Sequence, residues 1–263
     1  MKFIKALTLI LLTVCFTNCT IKESIVFSED GSGSYLLNYD MTEFMSKMKS
    51  EMGGGSSSSG DKVMDTTIVF KDIMEKFKDS VAALPEEKRL AMEAVKDMYM
   101  KMNMNEAAGV FDFGIGMNFK SIADLKDMGE KIKKVQSLNA QKDQVDAMKG
   151  SPLGKFMSPE NNGFSYDYSE TSFSRTTTLP ADWDSSKFDL DENSESDKDK
   201  EFMEYFENAS YIVEYTFPKK IKSYSIDNAE LSNGDKTITY KVSWLDFVKN
   251  PKVLDVNLTF ANE

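Results

Sequence analysis

Carboxylates are the residue type most available for chemistry in this chain, which has 43 Asp and Glu, 32 Lys and Arg and no histidine. Without histidine, the chain lacks the commonest general base and the usual partner of a Ser or Cys nucleophile. Arginine occurs only at Arg89 and Arg175, which disfavours phosphoryl transfer because phosphate clamps prefer arginine. No glycine-rich phosphate loop is present. What remains for an enzyme is carboxylates acting with lysine, tyrosine or serine, and glycoside hydrolases use carboxylates in this way.

Methionine thioethers are the second group with chemical potential. Met98, Met100, Met102 and Met104 occur at every second position, and thioethers are soft ligands suited to copper(I). A helix would spread these four residues around its circumference, and no histidine joins them. We therefore favour irregular packing at a helix end and predict neither a metal site nor a cofactor.

A third set of residues forms one helical stripe. Met41, Met45, Met48 and Met52 follow the spacing i, i+4, i+7, i+11, and Phe44 lies beside them. Methionine fills irregular gaps in cores and also lines adaptable grooves. We expect core packing, and a groove that binds a lipid or peptide is the alternative.

The segment 182–199 is strongly acidic and raises the question of calcium. Asp189, Asp191 and Asn193 match the first three ligand positions of an EF-hand loop. The sixth position is not glycine and the twelfth is not glutamate, so the match fails. We interpret this segment as a solvated acidic loop.

The first residues have the pattern of an export signal. Lys2 and Lys5 precede an apolar run from 6 to 16, and short polar residues lead to Cys19. The run is too short to cross a bilayer core of about 30 Å, and no later run approaches the necessary length.

A signal that ends just before a cysteine resembles a bacterial lipoprotein leader, in which the cysteine becomes the first residue and carries acyl chains. Asn18 departs from that pattern, which has a small residue directly before the cysteine. Cys15 is a competing site, and a plain secretory signal is the alternative. We predict lipidation at Cys19, a signal peptide over residues 1–18 and a membrane anchor of acyl chains.

The composition bears on partners as well. The formal net charge is −11, and removal of the leader would make it more negative because Lys2 and Lys5 would be lost. An acidic surface argues against binding of nucleic acid, which needs a basic footprint.

Alternation of apolar and polar residues predicts strands at both ends of the chain. Residues 20–28 and 34–40 flank a turn at Asp30-Gly31, and further strands within 211–260 flank a turn at Asn233-Gly234. The middle, 41–200, is predicted to be rich in helix, with strands at 65–70 and 110–119, a hairpin over 163–178 and a flexible loop at 53–60. We predict one α+β domain over 19–263. Its antiparallel sheet is built from the N- and C-terminal hairpins, and the helices pack on one face.

Both ends of the chain resemble LppM-type lipoproteins and are similar to uncharacterised lipoproteins of Bacteroidota. The residues that carry this resemblance are Cys19-Thr-Ile-Lys-Glu, Asp30-Gly-Ser-Gly, Tyr215-Thr-Phe-Pro and Ser232-Asn-Gly-Asp-Lys-Thr-Ile-Thr. The resemblance covers 19–40 and 211–260. It implies an α+β domain tethered in the envelope that could contact lipids, and it supplies no catalytic residues.

These observations predict a membrane-anchored, non-enzymatic envelope lipoprotein in the outer membrane, facing the periplasm, that binds a protein partner or an apolar ligand such as a lipid. The side of the membrane is what the resemblance implies: in the lipoproteins that the chain resembles, strongly acidic residues after the cysteine can direct surface display, and the residues after Cys19 are not strongly acidic. A carboxylate-based hydrolase acting on envelope glycans is the alternative. A large apolar pocket would favour a lipid ligand, a filled core a protein partner, and two carboxyls about 5–10 Å apart in one cleft a hydrolase.

Overall fold

In this computed structural model, residues 19–51, 63–126, 128–138, 163–185 and 206–262 are described. The predicted signal peptide, the predicted 53–60 loop and most of the predicted 182–199 loop lie outside them. Two β-sheets contact each other through aromatic side chains, and helices contact several strands of the larger sheet. The α+β class is therefore confirmed.

The larger sheet has eight strands in the order β10-β11-β8-β1-β2-β5-β4-β3. Among the described strands, every neighbouring pair is antiparallel except β1 and β8. Its strands are β1 (Thr20–Phe27), β2 (Gly33–Asp40), β3 (Val63–Val69), β4 (Met98–Asn105), β5 (Val110–Phe119), β8 (Ser210–Thr216), β10 (Glu230–Ser232) and β11 (Thr237–Ser243).

The smaller sheet has four strands in the order β6-β7-β12-β9. These are β6 (Gly163–Tyr168), β7 (Ser172–Thr178), β9 (Ile221–Tyr224) and β12 (Val256–Phe260). The described helices are α1 (Thr42–Glu51), α2 (Phe70–Lys76), α3 (Lys78–Ala82), α4 (Glu86–Ala94), α5 (Met128–Leu138) and α6 (Trp244–Lys249). None of them is long and apolar enough to cross a membrane.

Turn chemistry explains the two hairpins that the sequence predicts most clearly. Between β1 and β2, the Asp30 carboxylate accepts hydrogen bonds from the backbone N–H and hydroxyl of Ser32 at 3.0 and 2.6 Å, and Gly31 has a φ of +80°. Between β10 and β11, the three residues 233–235 all have positive φ. Asn, Gly and Asp tolerate this conformation best, so the local sequence specifies both turns.

The predicted arrangement, one sheet built from the terminal hairpins, differs from the structure. The middle of the chain contributes β3 to β7, and the strands form two sheets rather than one. The methionine segment also differs, because Met98–Asn105 is a strand and not the end of a helix. It pairs with β3 on one side and β5 on the other. This pairing outweighs the high helix propensity of methionine.

Aromatic rings fill the space between the two sheets. Phe27 on β1 stacks on Phe217 and on Tyr168, with ring centroids 5.3 and 4.3 Å apart. Phe173 on β7 meets Tyr215 on β8 edge to face at 5.1 Å. Offset and edge-to-face contacts of this kind add to the stabilisation from burial, so the interface between the sheets is the centre of the core.

Helices α1 and α6 are attached at the two sides of this core. The N–H of Met41 donates to the carbonyl of Phe111 at 2.9 Å, and the N–H of Phe111 donates to Oγ1 of Thr42 at 3.2 Å. These bonds hold the start of α1 against β5. Ser243 caps α6 by accepting the N–H of Leu245, and α6 buries Trp244.

Candidate functional site

The predicted lipidation residue, Cys19, lies directly at the start of the larger sheet. Its carbonyl accepts the N–H of Ser210 at 3.1 Å, and Thr20 is already paired with both Asp40 and Ser210. The Cys19 side chain is buried. Lipidation stays a prediction. If it occurs, the acyl chains are attached to the central strand of the sheet without any linker.

The predicted ligand-binding stripe is divided in the structure. Met41 and Phe44 are buried, and the Phe44 ring stacks on Phe206 at 5.5 Å. Met45 has 40% of its surface exposed. The Met48 side chain and the whole of Met52 lie outside the described residues. Two of the predicted residues therefore pack in the core, and ligand binding by this stripe stays a prediction.

The second methionine group forms a row on one face of β4. Met98 and Met100 are buried in the core, while Met102 and Met104 are half-buried opposite Phe113 and Phe111 of β5. Methionine packs favourably against aromatic rings, so core packing accounts for this row. Among the described residues, no group of three or more His, Cys, Asp or Glu side chains could hold a metal.

The structure brings together one polar group that we did not predict from the sequence. Glu23 lies on the inner face of β1 between Ile21 and Ile25, and Arg175 lies on the inner face of β7. Their side chains are 1% and 3% exposed. Each strand alternates inward and outward residues, so both side chains are directed into the space between the sheets.

The four donors around Glu23 come from three different strands. Arg175 Nε donates to Glu23 Oε1 at 3.3 Å, and the Tyr166 hydroxyl donates to the same oxygen at 2.7 Å. Tyr211 donates to Oε2 at 2.8 Å, and Tyr215 donates to Oε1. The carboxylate thus joins strands β1, β6, β7 and β8 at one point, and both of its oxygens have partners.

The cluster continues from Arg175 toward the surface. Arg175 Nη1 donates to Thr177 Oγ1 at 2.9 Å and to Asp255 Oδ1 at 3.4 Å. Thr177 also donates to Asp255 at 2.6 Å. The Asp255 side chain is 25% exposed, so this charge is the solvent-facing end of the cluster. The Phe164 ring covers the guanidinium at 5.4 Å.

Electrostatics keep the cluster in one protonation state. Burial alone would raise the pKa of Glu23, but the Arg175 charge and the three tyrosine hydroxyls lower that pKa below its ordinary value. Burial, followed by the Glu23 charge, raises the pKa of Tyr166, Tyr211 and Tyr215 well above the usual value for tyrosine. Glu23 is therefore an ionised acceptor and the tyrosines are neutral donors.

This arrangement is suited to holding the two sheets together and not to acid–base catalysis. A general acid needs a raised pKa and contact with the substrate, whereas Glu23 has a lowered pKa and is fully buried. Arg175 also bridges Glu23 and Asp255, so these carboxylates do not flank an open cleft. The cluster gives no support to the hydrolase alternative.

A signal for this cluster is present in the sequence. Glu23 stands in the apolar half of an alternating strand, and Arg175 is one of two arginines in the chain. A charged residue on an apolar face is rarely buried without a partner. The alternation shows that Glu23 faces inward, but it does not show which strand supplies the cation.

A cleft in the described part of the chain has both polar and apolar walls. It has a volume of about 410 Å³ and lies beside β11 and α6, where Lys241, Asp246 and Lys249 line it. These charged side chains distinguish the cleft from the predominantly apolar pockets that bind lipids.

Exposed apolar side chains are concentrated elsewhere, in β3 and α2–α4, which we call the 63–94 segment. Val63, Leu90 and Phe77 are 69%, 60% and 50% exposed, and Met64 and Val69 are also exposed. These are five of the eight large apolar side chains that are exposed among the described residues. Helices α3 and α4 bury no residue, so this segment presents apolar surface to its surroundings.

Comparison with known proteins does not assign a family. No family model matches the chain, and no curated protein gives a significant match. One solved structure that matches is the NMR structure of the folded domain of LppM from Mycobacterium tuberculosis. It has 8% sequence identity and a TM-score of 0.37, over 94% of this chain and 93% of that chain.

Proposed function

We propose that this chain is an envelope lipoprotein, anchored through Cys19 and facing the periplasm from the outer membrane, that acts by binding a protein partner and not by catalysis. The observation that carries the proposal is the concentration of exposed apolar side chains in the 63–94 segment. Apolar patches on a protein surface mark interaction sites more often than chance.

The core supports a protein partner over an enclosed lipid. Rings from β5, β6 and β7, together with Phe217 directly after β8, surround Phe27 between the sheets at centroid distances of 4.3–5.8 Å. Side chains therefore occupy the place where a lipid-carrying sandwich would hold its ligand.

The position of Cys19 supports the anchor. The sheet begins at the next residue, so an acylated Cys19 would hold the domain against the bilayer. Replacing Cys19 with alanine in the full chain is expected to move the protein from the membrane fraction to the soluble fraction. Retention of the Cys19→Ala variant in the membrane fraction would show that the anchor lies elsewhere.

Photo-crosslinking in intact envelopes tests the partner. A photoreactive amino acid is placed at Leu90 in the full chain, and a matched probe is placed at Lys222, which is exposed on the edge strand β9 of the other sheet. We expect discrete protein adducts from position 90 and none from 222, with mass spectrometry to identify them.

The chemical nature of the adducts distinguishes a protein partner from a lipid ligand. Lipid adducts alone at position 90 would point to an apolar ligand in place of a protein. Equal labelling from both probes, or none from either, would refute the proposal that the 63–94 segment is a binding surface.

A further inference from the structure

The two edge strands of the larger sheet differ in length. At one end β10 has three residues, whereas at the other β3 has seven. β3 pairs with β4 along its whole length, from Val63 opposite Asn105 to Val69 opposite Tyr99. No strand among the described residues pairs with its other side. β3 contains no proline or lysine, the residues that commonly protect sheet edges from pairing with another chain.

We propose that the partner of this edge is a second copy of the chain, with the two β3 strands paired antiparallel about a two-fold axis at Thr66. This inference rests on the proposed function, since it names the partner of the 63–94 segment. The paired strands would join two eight-stranded sheets, and the interface would be isologous, as closed dimers require.

The residues of β3 are complementary to themselves in this register. Val63 lies opposite Val69 of the second copy, Met64 opposite Ile68, and Asp65 opposite Thr67. Val63 and Val69, which are 69% and 36% exposed in one copy, become cross-strand neighbours. Pairs of branched apolar residues and pairs that can hydrogen-bond both stabilise antiparallel strands.

Other registers are less favourable. A shift of one residue would align the inner-face side chains of one copy with the outer-face side chains of the other, so the two cores would lie on opposite sides of the joined sheet. A shift of two residues in one direction places Asp65 opposite itself, and like charges directly opposite are destabilising. A shift of two in the other direction leaves Val63 without an opposite residue within β3. The symmetric register about Thr66 therefore pairs the most residues and brings no like charges together.

The pairing restricts how anchored copies are oriented. The two-fold axis of an antiparallel pair is perpendicular to the sheet, so the two Cys19 residues lie at opposite ends of the joined sheet along the strand direction. Both anchors reach one bilayer only when the sheet lies along the membrane surface. The dimer thus sets the orientation of the domain on the membrane.

Disulfide trapping in isolated envelopes tests the register with the full chain. Thr66→Cys places each cysteine opposite its copy, where antiparallel Cα atoms are about 4.5–5.5 Å apart, within the range of a disulfide. Thr67→Cys is the matched control, because Thr67 is more exposed but its copy lies diagonally at about 7–8 Å. On mild oxidation we expect about tenfold more covalent dimer from Thr66→Cys than from Thr67→Cys. The unchanged chain reports any dimer that depends on Cys15 or Cys19.

A charge test accompanies the trapping. In the Thr66→Cys background, Thr67→Asp places two aspartates opposite Asp65 residues and is expected to abolish the covalent dimer, whereas Thr67→Asn, which has nearly the same shape without the charge, should retain it. Within one chain, position 67 lies opposite Lys101. Thr67→Asp therefore gains a favourable neighbour in its own sheet, and loss of the dimer cannot be attributed to loss of the fold.

Sedimentation of the detergent-extracted chain gives a measurement that needs no cysteine. We expect twice the mass of one chain, and the mass of a single chain for Thr67→Asp. Equal trapping at positions 66 and 67, or a monomer in sedimentation, would overturn the self-pairing. If position 90 still forms adducts with another protein, the proposed function survives without it. If the self-pairing is overturned and position 90 also forms no adducts, both proposals fail.

Discussion

The interface between the two sheets and the 63–94 segment use apolar side chains in opposite ways. Around Glu23 and Arg175, aromatic residues from both sheets are buried, and the Tyr166 and Tyr211 hydroxyls donate to the Glu23 carboxylate. In the 63–94 segment, comparable apolar side chains are exposed, and α2 buries only Phe70. The comparison indicates a division of roles, in which the sheet interface provides stability and the 63–94 segment is available for binding.

Replacing Arg175 with methionine should have the largest effect in this comparison. It leaves Glu23 buried without its cation, and such a change lowers the free energy of unfolding by about 3–5 kcal/mol. Urea unfolding measures the loss. The double variant Glu23→Gln/Arg175→Met removes both charges and keeps an acceptor for the tyrosines, so it should recover part of the stability. If the loss of stability in the double variant equals the sum of the losses in Arg175→Met and Glu23→Gln, the two residues are not coupled.

Replacing Tyr211 with phenylalanine should have the next largest effect. This change removes the 2.8 Å hydrogen bond to Glu23 Oε2 with little change in shape. Hydrogen bonds to charged groups contribute about 1.5–3 kcal/mol to stability, and we expect a loss of that order in urea unfolding. Tyr224→Phe, at an exposed position on β9, is the control. Equal stability of both variants would mean that the hydroxyl of Tyr211 does not stabilise the cluster.

Acid should weaken the sheet interface through Glu23. Burial alone would raise the folded-state pKa of Glu23, but the charge of Arg175 and the tyrosine hydroxyls lower this pKa below its ordinary value. As the pH falls, the unfolded chain therefore takes up the proton first. The stability from ionised Glu23 is present above its unfolded pKa of about 4.3 and is lost as pH falls through the folded pKa. Free energies of unfolding between about pH 6 and pH 3 should fall more steeply for the wild type than for Glu23→Gln/Arg175→Met. Parallel curves would contradict this assignment.

Changes in the 63–94 segment should have the smallest effect on stability. Phe77→Ser removes an exposed ring, so the free energy of unfolding should change by no more than about 0.5 kcal/mol. Cross-linking from the probe at position 90 should nevertheless fall about fivefold, as expected when an anchor residue of an interface is lost. Tyr224→Ser, which removes an exposed ring from the other sheet, should leave cross-linking unchanged. A large loss of stability in Phe77→Ser would show that the segment is part of the core.

Local patterns predict the elements that depend on near neighbours. The Asp30-Gly31 and Asn233-Gly234 turns locate their hairpins, and alternation identifies β5 and the hairpin of β6 and β7. Because the helical spacing of Ala91, Ala94 and Val95 continues to Met98, the sequence predicts a helix end in the segment Met98–Asn105. Its strand conformation depends on hydrogen bonds to β3 and β5 on both sides, which local spacing does not reveal.

The Glu23 cluster could not be assembled from local patterns for the same reason. Glu23 and its partners Arg175 and Tyr211 belong to strands far apart in the chain, and Arg175 lies in the other sheet. The structure adds little support for the two predicted site groups. Met41 and Phe44 pack in the core, and the predicted role of Cys19 depends on lipidation. Contacts between distant strands follow from topology, which pattern and propensity do not determine.

The pairing of β1 with β8 has a consequence for the order of events in folding. Thr20 lies beside Ser210 in a parallel ladder, so the strand that emerges first during synthesis waits for one that emerges in the last quarter of the chain. Pairing across such a separation carries a large loop-closure cost and makes folding slow. The eight-stranded sheet cannot be completed while the chain is still being made, and a chain that remains unfolded for this long stays competent to be threaded through a narrow translocation channel.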